Sequence, residues 1–225
     1  MSLVAAAVCP HPPLLLPEVA AGAAHELDDL RSACHVAVTH LTSASVDLLI
    51  VVGADTTTVR RRPPFGGTLS PWGIDRPVGE LGGDQLPLSL LIGAWLAPAA
   101  SGFQSVAATA SPDECAQLGR GLAAEAARVG LLVLGDASAC RSEKAPGYRD
   151  PRAEPFDAAV AGALAKADTE ALLRVDPGLA GELLVAGRAP WQVLAGAAEG
   201  VAWAHTELLY DDAPYGVGYL VASWR

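Results

Sequence analysis

Three side chains suited to metal binding or acid–base chemistry, His11, Asp55 and Asp136, each follow an apolar stretch of strand length. One imidazole and two carboxylates form a donor set that hard or borderline divalent metal ions prefer. In open α/β sheets, ligands bind beyond the carboxyl ends of the strands, because loops and helix N-termini meet there. The sequence therefore predicts a cleft lined by these three residues.

Each of the three also has a purely structural interpretation. His11 lies between two prolines and could be a hydrogen-bonded loop histidine. Asp55 precedes three threonines, a setting in which aspartate often caps a turn. Asp136, at the end of a strand, could bind backbone amides. The sequence leaves both interpretations open.

Arginines and aromatic residues bear on what such a cleft would bind. Arg60, Arg61 and Arg62 follow Asp55 in an otherwise acidic protein. They form either a solvated surface run or a clamp for a carboxylate or phosphate, which Arg141 and Arg152 would reinforce. Four aromatic side chains could line a cavity or pack structurally: Trp72, Trp191, Tyr148 and Tyr215.

Hydrophobic patterning predicts the elements that position these residues. Apolar runs predict strands at residues 3–8, 46–53, 103–108 and 130–135, and a terminal pair of strands at 201–210 and 216–224. Helices are predicted at residues 18–41, 86–96, 111–128 and 153–167, with further helix starts at Asp176-Pro177 and Ala189-Pro190. This alternation predicts one three-layer α/β/α domain over residues 1–225, with a mixed, mostly parallel sheet.

Composition restricts the class of protein. The 225 residues carry 15 basic and 25 acidic side chains, a net charge of −10, and 51% are hydrophobic. The acidic balance argues against nucleic-acid binding, and no apolar run is long enough to cross a membrane. Four widely spaced cysteines and an N-terminus without a secretory pattern predict a cytoplasmic protein. Phosphate-loop, dinucleotide-binding and serine-hydrolase motifs are missing from the sequence.

Three segments resemble one enzyme family. Residues 10–18 (PHPPLLLPE) are similar to the N-terminal metal-ligand segment of class III extradiol ring-cleavage dioxygenases, specifically their catalytic B subunit, and of the related Memo-type proteins. Residues 135–138 (GDAS), with the stretch up to residue 157, resemble the second characteristic segment of the family. Residues 214–222 (PYGVGYLVA) are similar to its closing strand. The matches occur in family order and span nearly the whole chain.

The resemblance implies a non-haem Fe(II) held by two histidines and a carboxylate, with a further histidine that moves protons. Of these positions only His11 retains its residue. Asp55 stands at the place of the second histidine, and Ala139 at the place of the proton-transfer histidine. The third ligand would fall near Val185 or Ala186, which are apolar.

Two residues are the nearest substitutes for the lost groups. Glu182 is the carboxylate closest to the third ligand position, one helical turn earlier. Cys140, beside Ala139, could act as a proton donor or soft ligand, or could be a buried, inert thiol.

We therefore expect a divergent family relative that lacks ring cleavage. It would keep a cleft around His11 for a small anionic or aromatic ligand or for a protein partner. The sequence leaves the cofactor open: none, or Fe(II) or another divalent metal if the protein is active. The alternative is an active metal-dependent enzyme, either an Fe(II) dioxygenase or a hydrolase, with a rebuilt site of His11, Asp55 and either Asp136 or Glu182. A third hypothesis, prompted by the Memo-type resemblance, is an interaction module that self-associates, for example as a homodimer.

Overall fold

A mixed sheet of seven strands forms the centre of the molecule. The computed structural model describes residues 2–61, 64–75, 77–79 and 84–225. Its strands are β1 (Ser2–Cys9), β2 (Leu48–Asp55), β3 (Val59–Arg61), β4 (Phe65–Thr68), β5 (Pro77–Gly79), β6 (Asp84–Gln85), β7 (Gly102–Ala107), β8 (Arg128–Leu134), β9 (Thr206–Asp212) and β10 (Tyr219–Trp224). The seven strands of the central sheet are ordered β3-β7-β2-β8-β1-β10-β9, and β5-β4-β6 form a small second sheet.

The four inner strands β7, β2, β8 and β1 are parallel, so their carboxyl ends share one edge. β3 is antiparallel to β7, β10 is antiparallel to β1, and β9 is antiparallel to β10. The prediction of a mixed, mostly parallel sheet with a terminal antiparallel pair is confirmed. Because β10 runs opposite to β1, it begins at the edge where β1 ends.

Helices cover both faces of the sheet. They are α1 (Pro17–Ala20), α2 (Asp28–Ser43), α3 (Leu88–Leu96), α4 (Pro112–Ala123), α5 (Ala153–Lys166), α6 (Thr169–Leu173), α7 (Pro177–Glu182) and α8 (Arg188–Ala197). Side chains alternate along β2, so Ile50 and Val52 enter the core beneath α4, α5 and α8, while Val51 enters the core beneath α2 and α3. The result is a single three-layer α/β/α domain.

Several predicted boundaries differ from the observed ones. The helix predicted at residues 18–41 is divided into α1, a 3-10 segment and α2, because the backbone of Ala21 has a positive φ of 49° that interrupts α1. The helix predicted to reach Arg128 ends at Ala123, whereas Arg128 begins β8 and its guanidinium donates to the carbonyls of Ala44 and Ser45. Its start is as predicted, with a capping box between Ser111 and Glu114.

Within the described residues, no helix has both the length and the apolarity required to cross a membrane.

Candidate functional site

A pocket of about 410 Å³ opens at the carboxyl edge of the sheet, where β1 and β8 end and β10 begins. Pairing of β1 with β8 continues past the strands, since Gly135 N–H donates to the Cys9 carbonyl at 3.0 Å. This contact holds the segments that carry His11 and Asp136 side by side. The pocket is lined by His11, Pro12, Pro13, Leu14, Leu88, Asp136, Lys144, Pro146, Tyr215, Val217 and Tyr219.

His11 and Asp136 form the polar wall of the pocket. The backbone N–H of His11 donates to Asp136 Oδ1 at 2.8 Å, and His11 Nδ1 lies 3.5 Å from the same oxygen. Their side chains are only 12% and 17% exposed. His11 Nδ1 is buried and has no hydrogen-bond partner among the described residues. The structure thus brings these two residues together, as the positions of their strands predict.

Two tyrosines complete the polar lining. The Tyr215 hydroxyl donates to Glu26 Oε2 at 2.8 Å, and this hydrogen bond raises the pKa of Tyr215. Tyr219 is 3% exposed. Burial, and secondarily the charge of Asp136, raises the pKa of Tyr219 far above its ordinary value. The Tyr219 phenol therefore stays protonated over the whole physiological range.

Asp55 has the structural role rather than the cleft-lining one. It ends β2 as predicted, but its Oδ1 accepts the Thr56 N–H at 2.7 Å and its Oδ2 lies 3.3 Å from Arg61 Nη2. Arg61 also donates to Ser105 Oγ on β7 at 2.7 Å. The Asp55 carboxylate thus stabilises the connection between β2 and β3, and it does not line the His11 pocket.

The predicted anion clamp is not assembled by the arginines that the structure describes. Arg60 Nη2 lies 2.6 Å from Glu125 Oε2, and Arg141 Nη1 donates to Asp157 Oδ2 at 3.1 Å. Arg60 is on β3 at one side of the sheet, whereas the Arg141 N–H donates to the carbonyl of Gly216, near β10 at the other side. Arg62 lies outside the described residues. Arg60 and Arg141 each bind a carboxylate of the protein itself and lie at opposite sides of the sheet, so the two do not form a joint clamp.

Ala139 and Cys140 lie in a buried loop that is fixed from both sides. Ala139 N–H donates to the Leu183 carbonyl at 3.0 Å, and its own carbonyl accepts from Gly147 N–H at 2.9 Å. The Cys140 thiol is buried and donates to the same Leu183 carbonyl at 3.5 Å. Burial, then the charges of nearby aspartates, raises the pKa of Cys140. These contacts favour the interpretation of Cys140 as an inert thiol.

The segment to which the resemblance assigns the third ligand lies beside Asp136, because Gly187 N–H donates to the Asp136 carbonyl at 2.8 Å. Val185, just before it, packs against the apolar core. Glu182 is 60% exposed and pairs with Arg152 at 2.6 Å. It therefore gives its carboxylate to a surface ion pair.

Fe(II) does not fit these residues. Holding it with open positions for substrate and dioxygen takes three protein donors. Of the residues that the structure describes, only His11 and Asp136 bring metal-binding side chains together here. Across residues 2–61, 64–75, 77–79 and 84–225, no three His, Cys, Asp or Glu side chains are grouped so that they could hold a metal ion. The rebuilt set of His11, Asp55 and either Asp136 or Glu182 is not brought together.

The aromatic residues predicted for the cavity are divided among different environments. Trp191 is fully buried in the core, Trp72 packs against the α2–α3 side of the core, and Tyr148 is exposed. Of the four, only Tyr215 lines the pocket.

Tyr219 lines the pocket without having been predicted from the sequence. The predicted cleft drew only on residues that come directly after a strand, whereas Tyr219 is the first residue of β10. The predicted terminal pair of strands was the feature from which Tyr219 could have been found. A strand antiparallel to β1 begins at the edge where β1 ends, and Tyr219 is the first residue of that strand.

Comparison with known proteins identifies no family. No family model and no curated protein matches the chain. A crystal structure of an uncharacterized protein from Escherichia coli K12 is similar to it at 13% identity and a TM-score of 0.46, over 98% of this chain and 99% of that one. This likeness assigns neither a family nor a function.

Proposed function

We propose that the chain is a divergent relative of the class III extradiol dioxygenase B subunits that lacks ring cleavage. In this proposal it binds a small, flat ligand in the His11 pocket. The observation that carries the proposal is that His11 lies in the wall of a pocket at the carboxyl edge of an α/β sheet. The described residues do not place three metal-binding side chains together there, as iron would require. The family resemblance of residues 10–18 supplies the relationship to the dioxygenases.

The loss of ring cleavage is inferred from two features of the site. Asp55 and Glu182, the possible replacements for missing ligands, are paired with Arg61 and Arg152. Ala139 has a methyl group where the family's proton-transfer histidine would be, and general acid–base catalysis typically contributes a factor of about 10²–10⁴ in rate. The scaffold would thus keep a binding site after the reaction was lost.

The pocket has the properties of a site for a small organic molecule. Its volume of about 410 Å³ lies within the range of roughly 300–1,000 Å³ that is usual for ligand pockets. Prolines, Leu88 and Val217 supply apolar walls, and His11, Asp136 and Tyr219 supply a few convergent polar groups. A flat ligand would pack against the apolar walls, and the polar groups would orient it.

Binding is tested first. Acetophenone and benzamide are titrated into ¹⁵N-labelled protein, and we expect amide shifts centred on Val217 and Tyr219. Leu88→Trp fills the pocket and should abolish these shifts, whereas Val36→Trp, on an exposed position, should leave them unchanged. Shifts that survive Leu88→Trp would defeat the proposal.

Turnover is tested separately. The protein is loaded anaerobically with Fe(II), mixed with catechol or protocatechuate and exposed to air. We expect no ring-opened product above the level formed by Fe(II) in buffer. A ring-opened product at useful turnover would show that ring cleavage is retained.

A further inference from the structure

Tyr219, which lines the pocket, is held in a fixed position. Gly218, its neighbour, exchanges two backbone hydrogen bonds with the loop after β8: its carbonyl accepts from Ala137 N–H and its N–H donates to the Ser138 carbonyl, both at 2.8 Å. The Tyr219 side chain packs in the α2–α3 core and is 3% exposed. Its ring therefore has little freedom to turn away from the pocket that it lines.

The hydroxyl of Tyr219 lacks a hydrogen-bond partner in the described part of the chain. The oxygen is not among the fully buried unpaired atoms of the described residues, so water or a ligand in the pocket can reach it. Tyr215 provides the contrast in the same wall, since its hydroxyl is taken by Glu26. The unpaired Tyr219 hydroxyl is the kind of group that a ligand satisfies.

The charge near the Tyr219 hydroxyl indicates which kind of ligand atom this hydroxyl can bind. The negative charge of Asp136 contributes to keeping the Tyr219 phenol protonated, so the hydroxyl is available as a donor. The same charge repels an anionic oxygen at this point. Among the described residues no arginine lines the pocket, and Lys144, which does, is exposed to water that screens its charge, whereas the Asp136 side chain is only 17% exposed.

We infer that Tyr219 is the residue with which this pocket selects its ligand, and that the ligand presents an uncharged acceptor oxygen, such as a ketone, aldehyde, ester or amide carbonyl, to its hydroxyl. This inference rests on the proposed function, because it names the class of molecule that the pocket would bind. It assigns Tyr219 a direct contact with ligand rather than a packing role alone.

Three probes of similar size separate the effect of an acceptor oxygen on binding from the effect of a negative charge. Acetophenone has a neutral carbonyl, ethylbenzene lacks the acceptor, and benzoate carries a charge. Dissociation constants are measured for each by following pocket amides in NMR titrations of the wild type, Tyr219→Phe and Tyr215→Phe. Tyr215→Phe is the matched control, because it also removes one hydroxyl from the same pocket. Thermal unfolding of each variant establishes that it is folded.

In the wild type and in Tyr215→Phe, acetophenone should bind about 3- to 10-fold more tightly than ethylbenzene, the value of one neutral hydrogen bond. Benzoate should bind more weakly than acetophenone. In Tyr219→Phe, acetophenone and ethylbenzene should bind equally. A wild type that does not discriminate, a preference that survives Tyr219→Phe, or tighter binding of benzoate would overturn this inference while leaving the proposed pocket in place. Failure of all three probes to shift any pocket amide would overturn the proposed function itself.

Discussion

Replacing Asp157 by Asn should destabilise the loop that carries Asp136. Asp157 is 1% exposed. Its Oδ1 accepts the Ser138 N–H at 2.9 Å, and its Oδ2 accepts the Ser138 hydroxyl at 2.7 Å and Arg141 Nη1 at 3.1 Å. An asparagine can keep an acceptor for the Ser138 N–H, but its amino group must then face the Arg141 guanidinium, donor against donor.

The magnitude can be worked from the bonds that are lost. Hydrogen bonds to charged groups contribute about 1.5–3 kcal/mol each, and removing one partner of a fully buried ion pair costs about 3–5 kcal/mol. Arg141 is 24% exposed, so water compensates part of its loss. We therefore expect the free energy of unfolding of Asp157→Asn to fall by about 2–3 kcal/mol. With a urea m-value of about 2–3 kcal/mol/M, the midpoint should fall by about 1 M.

The assay is urea unfolding monitored by circular dichroism, with Glu199→Gln as the control. Glu199 pairs with Arg120 at 2.9 Å, but both side chains are about half exposed, so this control should change stability by no more than about 1 kcal/mol. If Asp157→Asn were no more destabilising than Glu199→Gln, the buried carboxylate would not be the group that fixes this loop.

Three further predictions concern titration and reactivity. In a ¹³C-tyrosine NMR titration, Tyr219 should remain protonated at a pH where exposed tyrosines ionise, and Asp136→Asn should lower its pKa; a Tyr219 that ionises with the exposed tyrosines would contradict the assigned environment. The guanidinium of Arg152 holds the pKa of Asp150 at about 2, so Arg152→Ala should return it towards 3.8. Because the folded-state pKa is depressed, the contribution of this pair is present above about pH 4 and is lost as the pH falls to about 2; an Asp150 pKa unchanged by Arg152→Ala would refute the pairing. All four cysteines are buried, so a thiol reagent should label them only after unfolding, and rapid labelling of the folded protein would show that a thiol is accessible.

The fold could be predicted because its signals are local and agree with one another. The unbroken apolar run before Asp55 required a strand covered on both faces, and β2 is such a strand. The sequence Ser111-Pro112-Asp113-Glu114 specified a helix start through hydrogen bonds that span only three residues. The ends of helices were less certain, since Ala21 interrupts a helical pattern through a backbone angle that alanine does not favour.

The site could be predicted only in part. The meeting of His11 and Asp136 is a consequence of where two parallel strands end. Asp55 and Asp136 have equivalent positions in the pattern, yet only the structure shows that Asp55 is paired with Arg61. Whether a carboxylate is free or bound depends on the direction of an arginine side chain, which hydrophobic periodicity does not encode.

Equilibrium dialysis of Fe(II) under anaerobic conditions is the most direct test of the central proposal, that the His11 pocket does not hold iron. The wild type should bind well below one equivalent of Fe(II), and His11→Ala should bind the same amount. One tightly bound equivalent in the wild type that His11→Ala abolishes would contradict the proposal.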